Sequence, residues 1–164
     1  MRPMRTSRNA LLVALLPAAL VALVAGCANS PEGPAQWASD LSAAQARWQA
    51  GAVQNYTYEI LRNCNCVVNQ IRPVRITVRN GVLNRIVYSD STGGYADTTL
   101  WRQFLTMDRY FSLIHDMVES GPAHFSATYT PSLGFPSYVS IDPNGNILDD
   151  EINITTLSFT IDTP

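Results

Sequence analysis

The sequence predicts one α+β domain in which helices pack on one face of an antiparallel sheet. Apolar residues recur at helical spacing in two segments, residues 35–50 and the segment that follows Thr106. Aromatic and β-branched residues alternate with polar ones in six further segments, and turn-rich stretches separate these segments. The predicted order is a helix and three strands, followed by a second helix and three strands.

The first half begins with a predicted helix over residues 35–50, which Gly51 ends. Its apolar stripe recurs at helical spacing and consists of Trp37, Leu41, Ala44 and Trp48. Strands are predicted at Tyr56–Leu61, Val74–Arg79 and Val82–Tyr88. Asn80 and Gly81 are residue types that adopt the two left-handed positions of a tight hairpin turn. Residues 89–96, which include two glycines, are predicted to form a loop.

The second half begins with a helix for which Thr106 is the predicted cap, and Asp108 is favourably placed in its first turn. Its apolar stripe consists of Met107, Phe111, Ile114 and Val118. Gly121 and Pro122 end this helix. Strands are then predicted at His124–Thr130, Ser137–Ile141 and Ile152–Ile161, with turns at residues 131–134 and 142–146.

The chain begins with a segment typical of a secretory signal. Arg2, Arg5 and Arg8 precede an apolar run from Leu11 to Val24. This run is shorter than the roughly 20 residues that a membrane-spanning helix needs. We therefore predict a signal peptide over residues 1–26 rather than an uncleaved anchor.

The end of this leader, Leu23-Val24-Ala25-Gly26-Cys27, has the form of a lipobox. We predict that the Cys27 thiol is lipidated and that the new amino terminus is acylated; the alternative is an ordinary secretory peptide that is cut elsewhere. Two or three acyl chains would anchor the protein firmly to a membrane on its extracytoplasmic side. Residues 27–35 then form a tether and residues 36–164 the domain. In a cell with two membranes, Ala28 favours the periplasmic face of the outer membrane.

Composition and motifs exclude several classes of function. The leader contains three of the eleven basic residues, so eight remain against thirteen acidic ones, a net charge of −5 for the predicted mature chain. A nucleic-acid partner would require a basic face, and we expect none. The chain has no glycine-rich phosphate loop, dinucleotide fingerprint or nucleophile elbow. We therefore expect no cofactor, no catalytic residue and no enzymatic activity, although an acid pair for glycoside cleavage is a spatial property that sequence leaves open.

Cys64 and Cys66 remain as a pair once Cys27 is assigned to lipid, and an oxidising compartment would favour a disulfide between them. In an extended chain, residues two apart project to the same face. Three interpretations stay open. The pair is a local staple, a thiol-exchange site, or a soft-metal site for copper or zinc. His115 and His124, interpreted as structural, are distant in sequence and complete no ligand set.

An acidic segment is the second candidate site and contains Asp142, Asn144, Asn146, Asp149, Asp150 and Glu151. Oxygen atoms at alternate positions suggest calcium ligands. The EF-hand template fails, because its sixth position is Ile147 instead of glycine and its twelfth is Asn153 instead of glutamate. A hairpin turn that leads into a charged strand is the simpler interpretation, with ligand or metal binding as the alternative.

Three arginines form the third candidate site. Arg75, Arg79 and Arg85 lie on the predicted hairpin, where they could share one solvent face and hold an anion or an acidic partner. The alternative is that they are solvated side chains whose stems cover apolar surface.

The carboxyl-terminal half resembles an uncharacterised bacterial family rich in lipoproteins, the domain of unknown function numbered six-one-seven-four. The residues that carry the resemblance are those of 134–142, followed by Asn146-Ile147-Leu148-Asp149-Asp150-Glu151. The tryptophan helix, the Tyr56-Thr57-Tyr58 strand, Cys64-Asn65-Cys66 and the helix of residues 107–118 also fit. This resemblance implies a secreted or lipid-anchored domain and no established activity. The element order is loosely similar to the PepSY and beta-lactamase-inhibitor-protein folds, which mostly bind proteins.

The sequence therefore predicts a non-enzymatic, membrane-anchored lipoprotein of the cell envelope that binds a protein or a ligand. The expected partners are the lipid bilayer, through acylated Cys27, and an envelope protein. The expected contact region is the exposed sheet face or the loop of residues 89–99. The alternatives are a metal-binding or thiol-redox module centred on Cys64 and Cys66, and a hydrolase with an unrecognised acid pair.

Overall fold

The structure is a computed structural model that describes residues 33–96 and 102–163. Within these residues the chain forms the α-helices α1 (Pro34–Gly51), α2 (Val68–Ile71) and α3 (Met107–Glu119). The strands are β1 (Tyr56–Asn63), β2 (Val74–Arg79), β3 (Val82–Tyr88), β4 (His124–Tyr129), β5 (Pro136–Asp142) and β6 (Ile152–Ile161). The predicted leader, Cys27 and most of the predicted tether lie outside the described residues, as do residues 97–99 of the predicted contact loop.

The strands form one six-stranded sheet in the order β3-β2-β1-β6-β5-β4, and every neighbouring pair is antiparallel. The first and last strands of the chain, β1 and β6, lie side by side at the centre, where Tyr56 pairs with Ile161 and Asn63 with Asn153. The predicted α+β class is therefore confirmed.

Helix α1 begins one residue earlier and ends one residue later than predicted. Pro34 occupies its first turn, where the missing N–H removes no intrahelical bond. The predicted stripe faces the sheet: Leu41, Ala44 and Trp48 are buried, and Trp37 packs against Phe125 with ring centroids 5.4 Å apart. In the described residues, no helix combines the length and the apolar character that crossing a membrane requires.

Helix α3 has the predicted cap. The Thr106 hydroxyl accepts a hydrogen bond from the Arg109 backbone N–H at 3.4 Å, and Asp108 lies in the first turn. The four predicted stripe residues Met107, Phe111, Ile114 and Val118 are all buried, as is Tyr110. Helices α1 and α3 lie antiparallel, because Trp48 near the end of α1 contacts Asp108 at the start of α3.

One face of the sheet forms the core with these helices. In β1 the side chains of Tyr56, Tyr58 and Ile60 are buried and alternate with more exposed ones. Their partners on β2 are Val78, Ile76 and Val74, which are also buried. The predicted hairpin turn between β2 and β3 is confirmed, since Asn80 and Gly81 have φ angles of 50° and 72°. The short helix α2 was not predicted.

Candidate functional site

The disulfide turn lies directly after β1. The Sγ atoms of Cys64 and Cys66 are bonded, and the Cys66 backbone N–H donates to the Cys64 carbonyl oxygen at 2.8 Å. Strand β1 ends at Asn63, so the turn occupies the end of the sheet at which β6 begins.

The acidic segment meets this turn across a cleft of about 180 Å³. The cleft is lined by Asn63, Cys64, Asn65, Asp149, Glu151 and Asn153. Asn63 on β1 pairs with Asn153 on β6, and this pair joins the disulfide-turn side of the cleft to the acidic-segment side. Two candidate sites that are about 80 residues apart in the sequence therefore form one polar surface.

This cleft presents hydrogen-bond acceptors. Asp149 and Glu151 supply exposed carboxylates, and Asp149 has a φ of 67°, a left-handed conformation that aspartate tolerates. The Tyr138 hydroxyl donates to Asn153 Oδ1 at 2.9 Å, so that amide oxygen is already engaged and the two carboxylates are the charged acceptors of the cleft. Such a surface suits ammonium or guanidinium groups, which donate several hydrogen bonds.

The other predicted ligands of the acidic segment do not line the cleft. Asp142 pairs with His124 in the sheet, and Asn144 closes a local turn by accepting from the Asn146 backbone N–H at 3.2 Å. Asp150 has one buried carboxylate oxygen without a hydrogen-bond partner in the described residues. The structure thus brings together Asp149 and Glu151 and leaves the other four residues of the segment, Asp142, Asn144, Asn146 and Asp150, outside the cleft.

A cluster that the sequence analysis missed lies at the end of α3. The ligand atoms of His115, Asp116 and Glu119 lie within 4.8 Å of one another, and His115 Nε2 is 3.6 Å from a Glu119 oxygen. All three side chains are exposed, as is His124, so neither histidine belongs to the core. The spacing of four residues between His115 and Glu119 on a helix was the available signal. Among the described residues this is the sole cluster of its kind.

The three predicted arginines lie on the face of the β2–β3 hairpin that points away from α1 and α3. Each contacts a carboxylate or an aromatic ring. Arg75 forms an ion pair with Glu59 at 3.3 Å, and Arg79 forms one with Asp162 at 2.5 Å. Arg85 lies 5.0 Å from the centre of the Tyr95 ring. Hydrogen bonds from Thr57 and then from Arg79 lower the pKa of Asp162. Two of the three positive charges are therefore already balanced within the chain.

The described part of the predicted contact loop is held by one carboxylate. Asp90 accepts two hydrogen bonds from Arg72, at 2.6 and 2.8 Å, and others from Thr92 and Gly93. The Arg72 bonds, followed by those from Thr92, hold the pKa of Asp90 well below its usual range. Beyond this turn, Tyr95 bridges to Val87 on β3 and leaves its ring exposed.

Arg62 is a second feature that the sequence did not indicate. It lies on the core side of β1 and donates to the side chain and backbone carbonyl of Gln103 at 3.3 and 3.0 Å. Its Nε is buried without a partner in the part of the chain that is described, and burial lowers the pKa of its guanidinium. The adjoining cavity is about 10 Å³, which is too small for a ligand.

Residues 40–161 match the model of a family of unknown function, DUF6174, and the chain belongs to this family. The match covers α1 from residue 40 onward, α3 and all six strands, and the predicted resemblance is confirmed. Searches of curated proteins and of solved structures gave no match.

Proposed function

We propose that this chain is a lipid-anchored, extracytoplasmic module of the cell envelope that binds a protein or a ligand without catalysing a reaction. One observation carries the proposal: in the described residues, α1 and α3 supply buried side chains to one face of the sheet, and the second face is left to solvent. A wide, ordered and uncovered sheet suits recognition, because its side chains are already held in register.

The uncovered face is polar and is fixed by internal contacts. Its central strip contains Thr57, Glu59, Arg75, Thr77, Thr155 and Thr160. Thr57 donates to Asp162 at 2.7 Å, and Ser89 donates to Glu59 at 2.6 Å. These bonds already restrict the motion of the side chains on this face, which lowers the entropy cost of binding a partner.

The strongest candidate contact within this face is the pair formed by Arg85 and Tyr95. Tyr95 is exposed over 69% of its surface, and the guanidinium of Arg85 lies above its ring. Tyrosine and arginine are the residue types that contribute most at protein interfaces. We therefore place the centre of the proposed contact at the edge formed by β3 and residues 89–96.

Crosslinking in the native cell envelope tests the binding proposal. A photoreactive residue is placed in the full chain at Arg75 or at Ser158, both on the uncovered face, and in a control variant at Ser112, which is exposed on α3. We expect one adduct of defined mass from the face positions and none from Ser112. Tyr95→Ala should then reduce the adduct from position 75. Absence of an adduct from both face positions across growth conditions would contradict the proposal.

The anchor is a separate part of the proposal, and the lipobox residues of the sequence support it. We propose that Cys27 carries the lipid and that, in a cell with two membranes, the domain lies on the periplasmic face of the outer membrane. The expected result is that Cys27→Ser moves the protein from the membrane fraction to the soluble fraction. Incorporation of labelled palmitate into the natural protein but not into the variant is the direct measurement.

A second candidate function is a metal-binding or thiol-redox module at Cys64 and Cys66. The observation that favours it is the cleft in which Asp149 and Glu151 approach the disulfide turn. Thiolates, not a disulfide, bind soft metals, so a metal would require prior reduction. If this candidate is correct, replacing both cysteines with serine abolishes function and leaves the melting temperature nearly unchanged; a staple gives the opposite result.

We further propose that the two halves of the domain are topological equivalents, each a helix followed by three antiparallel strands. The element order and the same order of strands across the sheet in each half, β3-β2-β1 and then β6-β5-β4, support this relation. Helix α2, between β1 and β2, has no counterpart between β4 and β5 and is the insertion that distinguishes the halves.

A further inference from the structure

We propose that the end of the domain from which the tether leaves rests on the bilayer surface, with two aliphatic loop tips in the lipid headgroup region. The tips are Val67-Val68, after the disulfide turn, and Ile147-Leu148, in the loop between β5 and β6. This inference deepens the proposed function and depends on lipid anchoring at Cys27.

Strand pairing shows that both tips and the start of α1 share one end of the sheet. Asn63, just before the disulfide turn, pairs with Asn153 near the start of β6. Ile152 pairs with Ile141 near the end of β5. The neighbouring strand β4 begins there, and its Phe125 contacts Trp37 in the first turn of α1. We call this edge of the molecule the tether end.

The aliphatic side chains at the tether end are unusually exposed. Leu148 is 89% exposed, Val68 70%, Val67 65% and Ile147 52%. Neither tip has a buried role in the fold: helix α2 buries no residue. Adjacent exposed aliphatic residues at loop tips are suited to contact with an apolar or interfacial environment.

The length of the tether decides which surface these tips meet. Cys27 and Gly33, the residue before α1, are six residues apart in the sequence. At a maximum of about 3.6 Å per residue, the start of α1 stays within roughly 22 Å of the lipidated cysteine. The tether end is therefore held at high effective concentration next to the bilayer, whatever other partner the domain has.

The carboxylates nearby set the depth and the lipid preference of this contact. Asp149 and Glu151 follow the Ile147-Leu148 tip and remain exposed beside the cleft. Charged groups do not enter the hydrocarbon core without a large free-energy cost, so the tips reach only the headgroup region. Ammonium groups of phosphatidylethanolamine match these carboxylates, whereas anionic headgroups repel them.

Tryptophan fluorescence in vesicles tests this orientation. The full-length acylated protein is reconstituted in phosphatidylethanolamine and phosphatidylcholine vesicles with brominated acyl chains, which quench tryptophan at short range. The variants are Val68→Trp, Leu148→Trp and the control Val82→Trp, compared with the unsubstituted protein. Val82 is a matched control because it is 66% exposed and lies at the opposite end of the sheet, beside the hairpin turn.

We expect a blue shift and a loss of fluorescence for the tryptophans at positions 68 and 148 and neither effect at position 82. Exchanging phosphatidylethanolamine for phosphatidylglycerol should weaken the quenching. Equal quenching at position 82, or stronger quenching with phosphatidylglycerol, would overturn the inference. No quenching at all would also overturn it and would leave the tips to a protein partner.

Flotation of the same vesicles tests lipid anchoring at Cys27 independently of the docking orientation. Natural protein that floats while Cys27→Ser does not supports the anchor, and unquenched tips would then reject only the docking orientation. If both proteins float equally or neither floats, the anchor itself is rejected, and the docking inference falls with it.

Discussion

Trp48 is held at the junction of the two long helices by a single hydrogen bond. Its Nε1–H donates to Asp108 Oδ1 at 3.0 Å, and its ring meets the Tyr56 ring edge-on at 5.4 Å. Asp108 also lies at the positive end of the α3 dipole. One carboxylate therefore satisfies a buried indole and stabilises a helix start.

We predict that Asp108→Ala lowers the free energy of unfolding by about 1 to 2 kcal/mol, because the indole loses its acceptor and α3 loses a favourable charge. Chemical denaturation measures the change. Asp116→Ala, at an exposed position near the other end of α3, is the control and should change stability by less than about 0.5 kcal/mol. A similar loss for both variants would contradict this account.

Tyr56 introduces a pH dependence at alkaline pH. Burial raises the pKa of its hydroxyl to about 12, and the Met107 backbone N–H donates to that hydroxyl oxygen at 2.8 Å. The folded state therefore keeps a proton that the unfolded chain loses near pH 10. Stability is fully retained below that pH and falls as the pH rises from about 10 towards 12.

We predict that Tyr56→Phe makes this fall less steep, by up to about 1.4 kcal/mol per pH unit. The variant should also be less stable at pH 7, by about 1 to 3 kcal/mol, since the Met107 N–H is left without an acceptor. Urea unfolding at a series of pH values measures both effects. A fall in stability as steep as that of the natural protein would show that Tyr56 does not contribute. Tyr129, whose pKa burial also raises to about 12, accounts for part of the remaining slope.

At the scale of elements, the contact between α1 and the turn after β4 depends on the absence of one side chain. Gly134 has a φ of 80°, and a Cβ built there would lie 2.1 Å from the Ala44 carbonyl oxygen. The helix backbone itself occupies the space, so no rotamer change relieves the overlap. This glycine lets the hairpin of β4 and β5 pack directly on α1.

We predict that Gly134→Ala destabilises the protein by about 3 kcal/mol or more, which combines left-handed strain with the clash. Gly93→Ala is the matched control: its φ of 58° is also left-handed, but nothing lies within 4 Å of a Cβ there. Its cost should be about 1 to 2 kcal/mol. Thermal unfolding compares the two. Equal losses would mean that the contact with α1 is less tight than described.

The helices and strands were predictable because their signals are local. Alternation in β1 and β2, the Thr106 cap and the Asn80-Gly81 turn are each contained in a few consecutive residues, and every one of these predictions is confirmed. Helix α2 has four residues, no side-chain cap and no buried face, so it leaves no periodic signal.

The candidate site was predictable in its parts and not in its assembly. Cys64, Asp149 and Glu151 were each identified, but the cleft that they share depends on the pairing of β1 with β6. That pairing joins residues 90 to 105 positions apart, and neither hydrophobic alternation nor turn chemistry specifies it. The Asp162 partner of Arg79 was missed for the same reason, whereas Glu59, the partner of Arg75, lies opposite it on the neighbouring strand β1.

For the whole molecule, the central position of β6 makes the two halves one cooperative unit. Phe159 stacks on Phe135 from the second half at 4.3 Å and on Tyr56 from the first half at 5.3 Å, and it meets Trp48 edge-on at 5.9 Å. The core is therefore one cluster to which both halves of the sequence contribute.

We predict that Phe159→Ala costs about 3 kcal/mol and leaves a single unfolding transition, because both halves lose the same support. Tryptophan fluorescence and far-ultraviolet circular dichroism should give the same lowered midpoint. Leu157→Ala, at a half-exposed position on the same strand, is the control and should cost less than about 1 kcal/mol. Two separated transitions would show that the halves fold independently.

The antiparallel pairing of β1 with β6 also gives the domain two poles, one at each end of the strands. Helix α1 starts at one pole, whereas β6 ends at the other, where Ile161 pairs with Tyr56. With a rise of about 3.3 Å per residue, the ten residues of β6 cover roughly 30 Å between these poles. For a chain fixed to a surface through its amino-terminal side, an epitope or enzyme fused behind β6 would project outward. The fold therefore has the geometry that a surface-display scaffold requires.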